Sequence, residues 1–264
     1  SANGDQALTG DTDIETYVLG TAMTFTLGSA AQNVTGSSAD DTVNINAFTV
    51  TGTLNGAAGT DILQAGTGAD LSGATISAFE SLTLASGASV TMTEAQHDSF
   101  TTFTAPGTET ITISSATDGL TGNSAIETYV LSAPNAFTLG AAGQNFTGST
   151  GDDTLNIGSV SAIGILAGNT GTDTLSIGSG GSISGATISG FENLTVASGG
   201  SASIAASQLA LFSGTVSGSG NETLDILGDG NFATVSAIES YTLNDDSTNA
   251  RTVSISAAGH SVTA

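Results

Sequence analysis

Apolar and polar residues alternate along this chain in short stretches. Examples are Thr24-Phe25-Thr26-Leu27, Thr42-Val43-Asn44-Ile45, Thr91-Met92-Thr93 and Thr110-Ile111-Thr112-Ile113. A period of two puts one side of an extended backbone in a core and the other in water. Each stretch therefore predicts a short strand with one buried face. Gly or Ser-Gly steps interrupt the pattern every ~8 to 12 residues, as tight turns require. One stretch has a different character. Thr93-Glu94-Ala95-Gln96 carries the spacing of a helix capping box and predicts a short helical turn.

The strands belong to a long repeat. Ile14-Glu15-Thr16-Tyr17-Val18-Leu19 returns unchanged at Ile126–Leu131 and, in modified form, at Ile238–Leu243, 112 residues further on each time. Ser72-Gly73-Ala74-Thr75-Ile76-Ser77 returns at Ser184–Ser189 with the same offset. A weaker copy of the first phrase sits inside each repeat, at Phe79-Glu80-Ser81-Leu82-Thr83-Leu84 and at Phe191-Glu192-Asn193-Leu194-Thr195-Val196. Anchors at 14, 79, 126, 191 and 238 are spaced 65, 47, 65 and 47 residues apart. Reading 47 residues as two coils and 65 as three gives coils of about 22 residues. The counterpart of Thr93 is Ala205, which lacks the capping hydroxyl.

Short strands at a fixed long period predict an all-β fold, a parallel β-solenoid of β-helix or β-roll type. Its organisation is a lead-in at 1–13, a first repeat at 14–125, a second at 126–237 and a partial third at 238–264, in one continuous solenoid. The alternative is a sandwich of immunoglobulin-like units, which would use larger anchors than ten Phe and no Trp.

Composition narrows the functions. The 264 residues carry 24 Asp and Glu against a single Lys or Arg, Arg251, for a net charge of −23. Nucleic acid and anionic membrane surfaces are excluded as partners, because both are held by basic side chains. Phosphoryl transfer is disfavoured by the lack of lysine. No apolar run approaches the ~18 residues of a spanning helix, so membrane insertion is not expected. There is no Cys, hence no disulfide. Charged residues make up only 9% of the chain, too few for a disordered acidic tail. The chain opens on Ser1 and part-way into a repeat, which predicts a processed product or a piece of a longer one.

Four nine-residue segments suggest chemistry. They run Gly36–Asn44, Gly56–Gln64, Gly148–Asn156 and Gly168–Ser176, each with Asp at the sixth position and a large apolar residue at the eighth. The sixth positions are Asp41, Asp61, Asp153 and Asp173; Asp40 and Asp152 precede two of them. Paired segments start 20 residues apart, about one coil, so Asp41 is expected to face Asp61 and Asp153 to face Asp173 across a coil step. Two such carboxylates repel without a cation, and the single Arg cannot neutralise them. A Ca²⁺ ion, which takes six to eight oxygens, is one solution. Ordinary turn chemistry, with Asp accepting from its own backbone, is the other.

These segments resemble degenerate members of the RTX nonapeptide family, with the second Gly replaced each time and Ala39 in place of the fourth residue in the first. The wider repeat is similar to the Ser/Thr/Ala/Gly-rich strand repeats of secreted bacterial surface proteins, such as adhesin stalks and surface-layer proteins. The resemblance implies calcium as ligand, an extracellular, cell-surface location, and folding once calcium is met outside the cell. It points to a structural repeat segment of a surface, fibre or matrix protein, not an enzyme, joined to a larger parent chain or to copies of itself end to end.

Other readings stay beside it. Thr-x-Thr pairs such as Thr24/Thr26, Thr51/Thr53, Thr91/Thr93 and Thr110/Thr112 would suit an ice-binding face or, with fewer aromatic platforms than usual, a carbohydrate-binding module. A glycoside-cleaving β-helix enzyme is the distant alternative. The recurring Glu15, Glu80, Glu127, Glu192 and Glu239 are read as corner carboxylates that accept backbone N–H bonds, with a second cation site as the alternative. His97 and His260, the only imidazoles, lie in polar stretches, and His97 beside Asp98 is not by itself a catalytic signature.

Overall fold

The alternating stretches become strands of two to five residues, and the pairings between the described strands are parallel. The structure, a computed structural model, describes residues 6–115, 117, 119–218, 220–228, 231–244, 253, 254 and 260–263, and all structural statements concern these. Arg251 lies outside them. The fold is an all-β parallel solenoid, with two short helices among the described residues. The chain divides into two compact units: Ser1–Thr117 with Ala125–Ser132, and Asp118–Ser124 with Ala133–Ala264.

In the first unit, one sheet stacks Gln6–Thr9, Met23–Thr26, Thr42–Asn44, Ile62–Ala65, Ser81–Leu84 and Thr102–Thr104 in sequence order. A second stacks Thr16–Val18, Asn33–Thr35, Thr53–Asn55 and Thr75–Ser77. Single bridges from Thr49 to Asp70 and from Asp70 to Thr91 open a third side, which becomes a sheet at Ser89–Met92, Thr110–Ile113 and Thr128–Leu131. The inward residues form continuous columns. Phe25, Val43, Leu63 and Leu82 sit one above another and are fully buried. Same-height stacking lets each rung cover the apolar faces of its two neighbours, which is where a solenoid gains its burial.

The second unit repeats this plan. Its first sheet stacks Leu120–Thr121, Ala136–Thr138, Thr154–Asn156, Thr174–Ile177, Asn193–Val196 and Val216–Ser217. Asn145–Thr147, Ile165–Ala167 and Thr187–Ser189 form the next. Bridges Ser161–Ser182–Ser203 lead to a third sheet of Ser201–Ala205, Thr223–Leu227, Ser240–Asn244 and Ser261–Thr263.

Coil length varies where the sequence suggested a constant. Register partners lie as few as 17 residues apart (Thr16 and Asn33) and as many as 22 (Thr53 and Thr75). Short and long coils are interspersed: Thr110 and Thr128 lie 18 residues apart and Thr223 and Ser240 17 apart, whereas Ser201 and Thr223 lie 22 apart. The two versions of the repeated phrase also occupy different sides. Tyr17 pairs within the second sheet, whereas Leu82 pairs within the first. The 65- and 47-residue spacings are therefore not whole numbers of coils. A strand's alternation says which residues face inward, but turn length decides which side of the coil it joins.

Helix α1 (Glu94–Ser99) forms where the capping box predicted it, with Thr93 as N-cap. The Thr93 Oγ1 accepts from the Gln96 N–H at 3.2 Å, and the Gln96 Oε1 accepts from the Thr93 N–H at 2.9 Å. The counterpart α2 (Ala206–Leu209) keeps only the second bond, from the Ala205 N–H to Gln208 Oε1, and is two residues shorter. Each helix closes the second sheet of its unit through one glutamine. Gln96 Nε2 donates to the carbonyls of Leu71 and Ala74, and Gln208 Nε2 to those of Ile183 and Ala186. These are the corner carbonyls beneath the helix, so the amide satisfies backbone acceptors on the preceding coil.

Candidate functional site

The nonapeptide aspartates sit at one corner of successive coils, as the 20-residue spacing required. Asp41, Asp61, Asp153 and Asp173 are each 1% exposed or less. Burial of a carboxylate demands donors, and here the donors are backbone N–H groups. Asp41 Oδ1 accepts from the Met23 N–H of the preceding coil at 2.9 Å. Its Oδ2 accepts from the Ser37 N–H at 2.6 Å and from the Ser37 hydroxyl at 2.9 Å. The Asp41 N–H in turn donates to Asp61 Oδ1 at 2.7 Å, and the Asp61 N–H donates to Glu80 Oε2 at 2.8 Å. Each acid thus caps the amide of the coil before it. The nonapeptide Asp and the phrase Glu, which look like separate features in the sequence, are steps of one column.

The second unit reproduces the column. The N–H groups of Asn135, Asp153 and Asp173 donate to Asp153 Oδ1, Asp173 Oδ1 and Glu192 Oε2 at 2.8, 2.7 and 2.8 Å. Ser149 binds Asp153 Oδ2 as Ser37 binds Asp41. Another acid step joins Glu109 to Glu127. The corner-carboxylate reading of the repeated Glu therefore describes Glu80, Glu127 and Glu192; Glu239 accepts from the Glu222 N–H at 3.2 Å.

Asp40 and Asp152 face outward and are exposed. Each still links two coils, accepting from the N–H of Thr60 and Thr172 at 2.8 Å.

This donor set does not match a calcium shell. Of the four carboxylate oxygens of Asp41 and Asp61, three already face N–H or O–H donors, which would repel a cation. Asp61 Oδ2 alone is buried without a hydrogen-bond partner, and so is Asp173 Oδ2 in the other unit. One such oxygen supplies a small part of the six to eight that calcium takes. Among the described residues no group of three or more His, Cys, Asp or Glu is placed to hold a metal. The calcium expectation for Asp41, Asp61, Asp153, Asp173, Asp40 and Asp152 meets a column built for N–H donors. The sequence could not separate the two cases, because Gly-x-Asp turns serve both.

Stacking leaves an electrostatic residue at the middle rung. Burial pushes the Asp61 carboxyl up from its ordinary value, against the Asp41 N–H bond that lowers it, with the charges of Asp41, Glu80 and Asp40 adding to the rise. Asp173 is raised for the same reasons by Asp153, Glu192 and Asp152.

Sequence reading missed the buried glutamines. Gln32 and Gln144 are 1% and 2% exposed. Gln32 Oε1 accepts from Gly28 N–H, and its amide donates to the carbonyls of Asp11 and Ile14. Gln144 makes the matching bonds to Gly140 and Asn123. Their recurrence at the 112-residue offset was the available signal.

His97 is not in a polar environment. It lies on α1, 4% exposed, with Nδ1 3.0 Å from Asp98 Oδ1 and Nε2 3.0 Å from the hydroxyl of Tyr129, itself fully buried. The His97 ring centroid lies 4.8 Å from that of Phe103. A nucleophile at Tyr129 has no access to substrate, so the trio is a packing and hydrogen-bond unit. Burial lowers the His97 pKa below its ordinary value; Asp98 and then Glu94 oppose that shift in part.

The pH dependence follows from these directions. A buried neutral His97 binds fewer protons than in the unfolded chain, so its penalty grows as pH falls below about 6.5. The raised Asp61 and Asp173 bind more protons when folded, so their cost is absent below about 3.9 and grows as pH rises through their folded values. Melting curves between pH 8 and 4 should show the two effects as opposite slopes. His97→Leu, which copies Leu209 of the other unit, is expected to remove the loss on acidification below about 6.5. An unchanged profile in that variant would refute the assignment.

Thr24/Thr26 and Thr110/Thr112 lie on strands, whereas Thr51 precedes its strand and Thr93 caps α1. One outward column of the first sheet runs Thr24, Thr42, Ile62, Ser81, Thr102 and the next Thr26, Asn44, Gln64, Thr83, Thr104. Ile62, Asn44 and Gln64 break the Thr series at its centre. Comparison with known proteins finds no matching family, no matching curated protein and no matching solved structure for this chain.

Proposed function

We propose that this chain is a structural repeat segment, a stiff solenoid spacer of a secreted bacterial surface, fibre or matrix protein. One observation carries the reading: the buried acids and the four buried glutamines bond to backbone groups of their own turn and of adjacent coils, and the serines beside the acids bond to those acids. Polar groups that an enzyme or receptor would aim at a ligand here bind rung to rung. The RTX resemblance and the net charge of −23 support an extracellular setting. Assembly proceeds within a larger parent chain or by self-association of copies. In this reading the coils are held by N–H-to-carboxylate steps, and calcium is not required for the fold.

Single-molecule pulling is the direct test. A spacer should hold its length until forces that unfold globular domains, and then yield in steps. Smooth extension at the low forces of an unstructured chain would sink the proposal. Thermal melting in excess calcium and in chelator addresses the ion: the curves are expected to coincide after correction for ionic strength. A rise in calcium that a matched magnesium salt fails to reproduce would restore the calcium-dependent form. Absence of thermal hysteresis would remove the ice-binding alternative, which the broken Thr columns do not favour.

A further inference from the structure

The two units differ at several core positions, Val34 against Phe146 and Ala65 against Ile177 among them, and one such difference lies beside a cavity. In the first, His97, Phe100 and Phe103 pack as a ring cluster, with Phe103 seated on Leu82 in register. In the second, Val216 occupies the register position over Leu194, Leu209 replaces His97, and Phe212 keeps the place of Phe100. Two rings of one unit thus have aliphatic side chains as counterparts. Beside Val216 lies a cavity of about 370 Å³, lined by Leu209, Phe212, Val216, Phe232 and Val235. Its walls Leu209, Phe212 and Phe232 are each under 9% exposed, whereas Gly214 and Asn231 at the rim are exposed. The apolar walls offer a ligand no charge, and the polar rim faces water.

We propose that this cavity is a binding site for a small neutral molecule carrying an aromatic ring. The occupant class is set by the counterpart unit, where the same structural position holds the protein's own rings. The cavity opens to water along its rim, and a ring that enters displaces that water and gains dispersion contacts with the apolar walls. Edge and face contacts from Phe212 and Phe232 favour an aromatic guest over an alkyl one. The strong negative charge of the chain disfavours an anionic ligand.

Toluene is the probe, read by saturation-transfer NMR and by the shift in melting temperature. Binding to the native chain is expected, with Kd raised about tenfold or more in Val216→Phe, where a protein ring fills the space. Val216→Leu should give an intermediate loss and guards against the larger side chain failing to fold. No binding to the native chain, or equal binding to native and Val216→Phe proteins, would overturn the proposal. Tighter binding of cyclohexane than of toluene would overturn the aromatic class.

Discussion

Asp41→Asn should destabilise the protein by about 3–5 kcal/mol, while Asp61→Asn, one coil away, should change stability by less than about 1 kcal/mol at neutral pH. Both positions are the sixth residue of a nonapeptide, but the second residue is Ser37 in one and Ala57 in the other. The reason is in the donors. Both oxygens of Asp41 accept: Oδ1 from Met23, Oδ2 from the N–H and hydroxyl of Ser37. An amide has one acceptor oxygen, so its NH₂ must face donors, leaving buried groups unsatisfied at ~1–3 kcal/mol each. Asp61 uses Oδ1 alone, and its other oxygen has no partner. Asparagine keeps that acceptor and removes a charge that burial already disfavours. Asp153→Asn and Asp173→Asn should repeat the contrast in the second unit. Denaturant melts of the four variants decide it. Equal losses at all four positions, reversed by calcium, would instead mean that the aspartates act together as cation ligands.

Gly56→Ala and Gly168→Ala should each cost about 3 kcal/mol or more, the level of severe overpacking. A Cβ on Gly56 would lie 1.9 Å from the carbonyl oxygen of Ala78 and 2.8 Å from Asp61 Oδ2. On Gly168 it would lie 2.0 Å from the carbonyl oxygen of Gly190 and 2.8 Å from Asp173 Cβ. The obstacle is the backbone of the next coil, which cannot yield without parting the ladder bond between the Gly56 N–H and the Ser77 carbonyl. Gly143→Ala provides the control, since nothing lies within 4 Å of its added carbon, and its stability should move by less than about 0.5 kcal/mol. Urea titration of the three variants measures the difference. A Gly56→Ala protein as stable as Gly143→Ala would show that the corner is looser than its geometry.

Much of this architecture was written in the sequence. Alternation marks Thr24–Leu27, Thr42–Ile45 and Thr110–Ile113 as strands because a one-sided core imposes a period of two, whichever coil a strand joins. The capping box marks α1 because Thr93 and Gln96 bond across one turn, a local arrangement needing no distant partner. The exact 112-residue offset foretells that the second unit repeats the first, down to the glutamine that closes each helix over the preceding corner. Asp41 and Asp61 meet as expected because a 20-residue spacing is one coil.

Other features depended on which residues the stack brings together. The sequence does not say that Asp61 N–H points at Glu80, since the two belong to different motifs and meet only through coil length. It suggested that His97 was polar and left its partner unknown, because Tyr129 is 32 residues away and reaches it only after further coils have formed. It offered the same aspartate motif to a cation or to a turn, and only the folded chain shows which N–H groups each aspartate accepts. The order of residues along the chain therefore determined the strands, the helix and the period. Tertiary structure alone decided the side each strand joins, the donors each acid receives and the gap beside Val216, because these depend on contacts between coils rather than on neighbours in sequence.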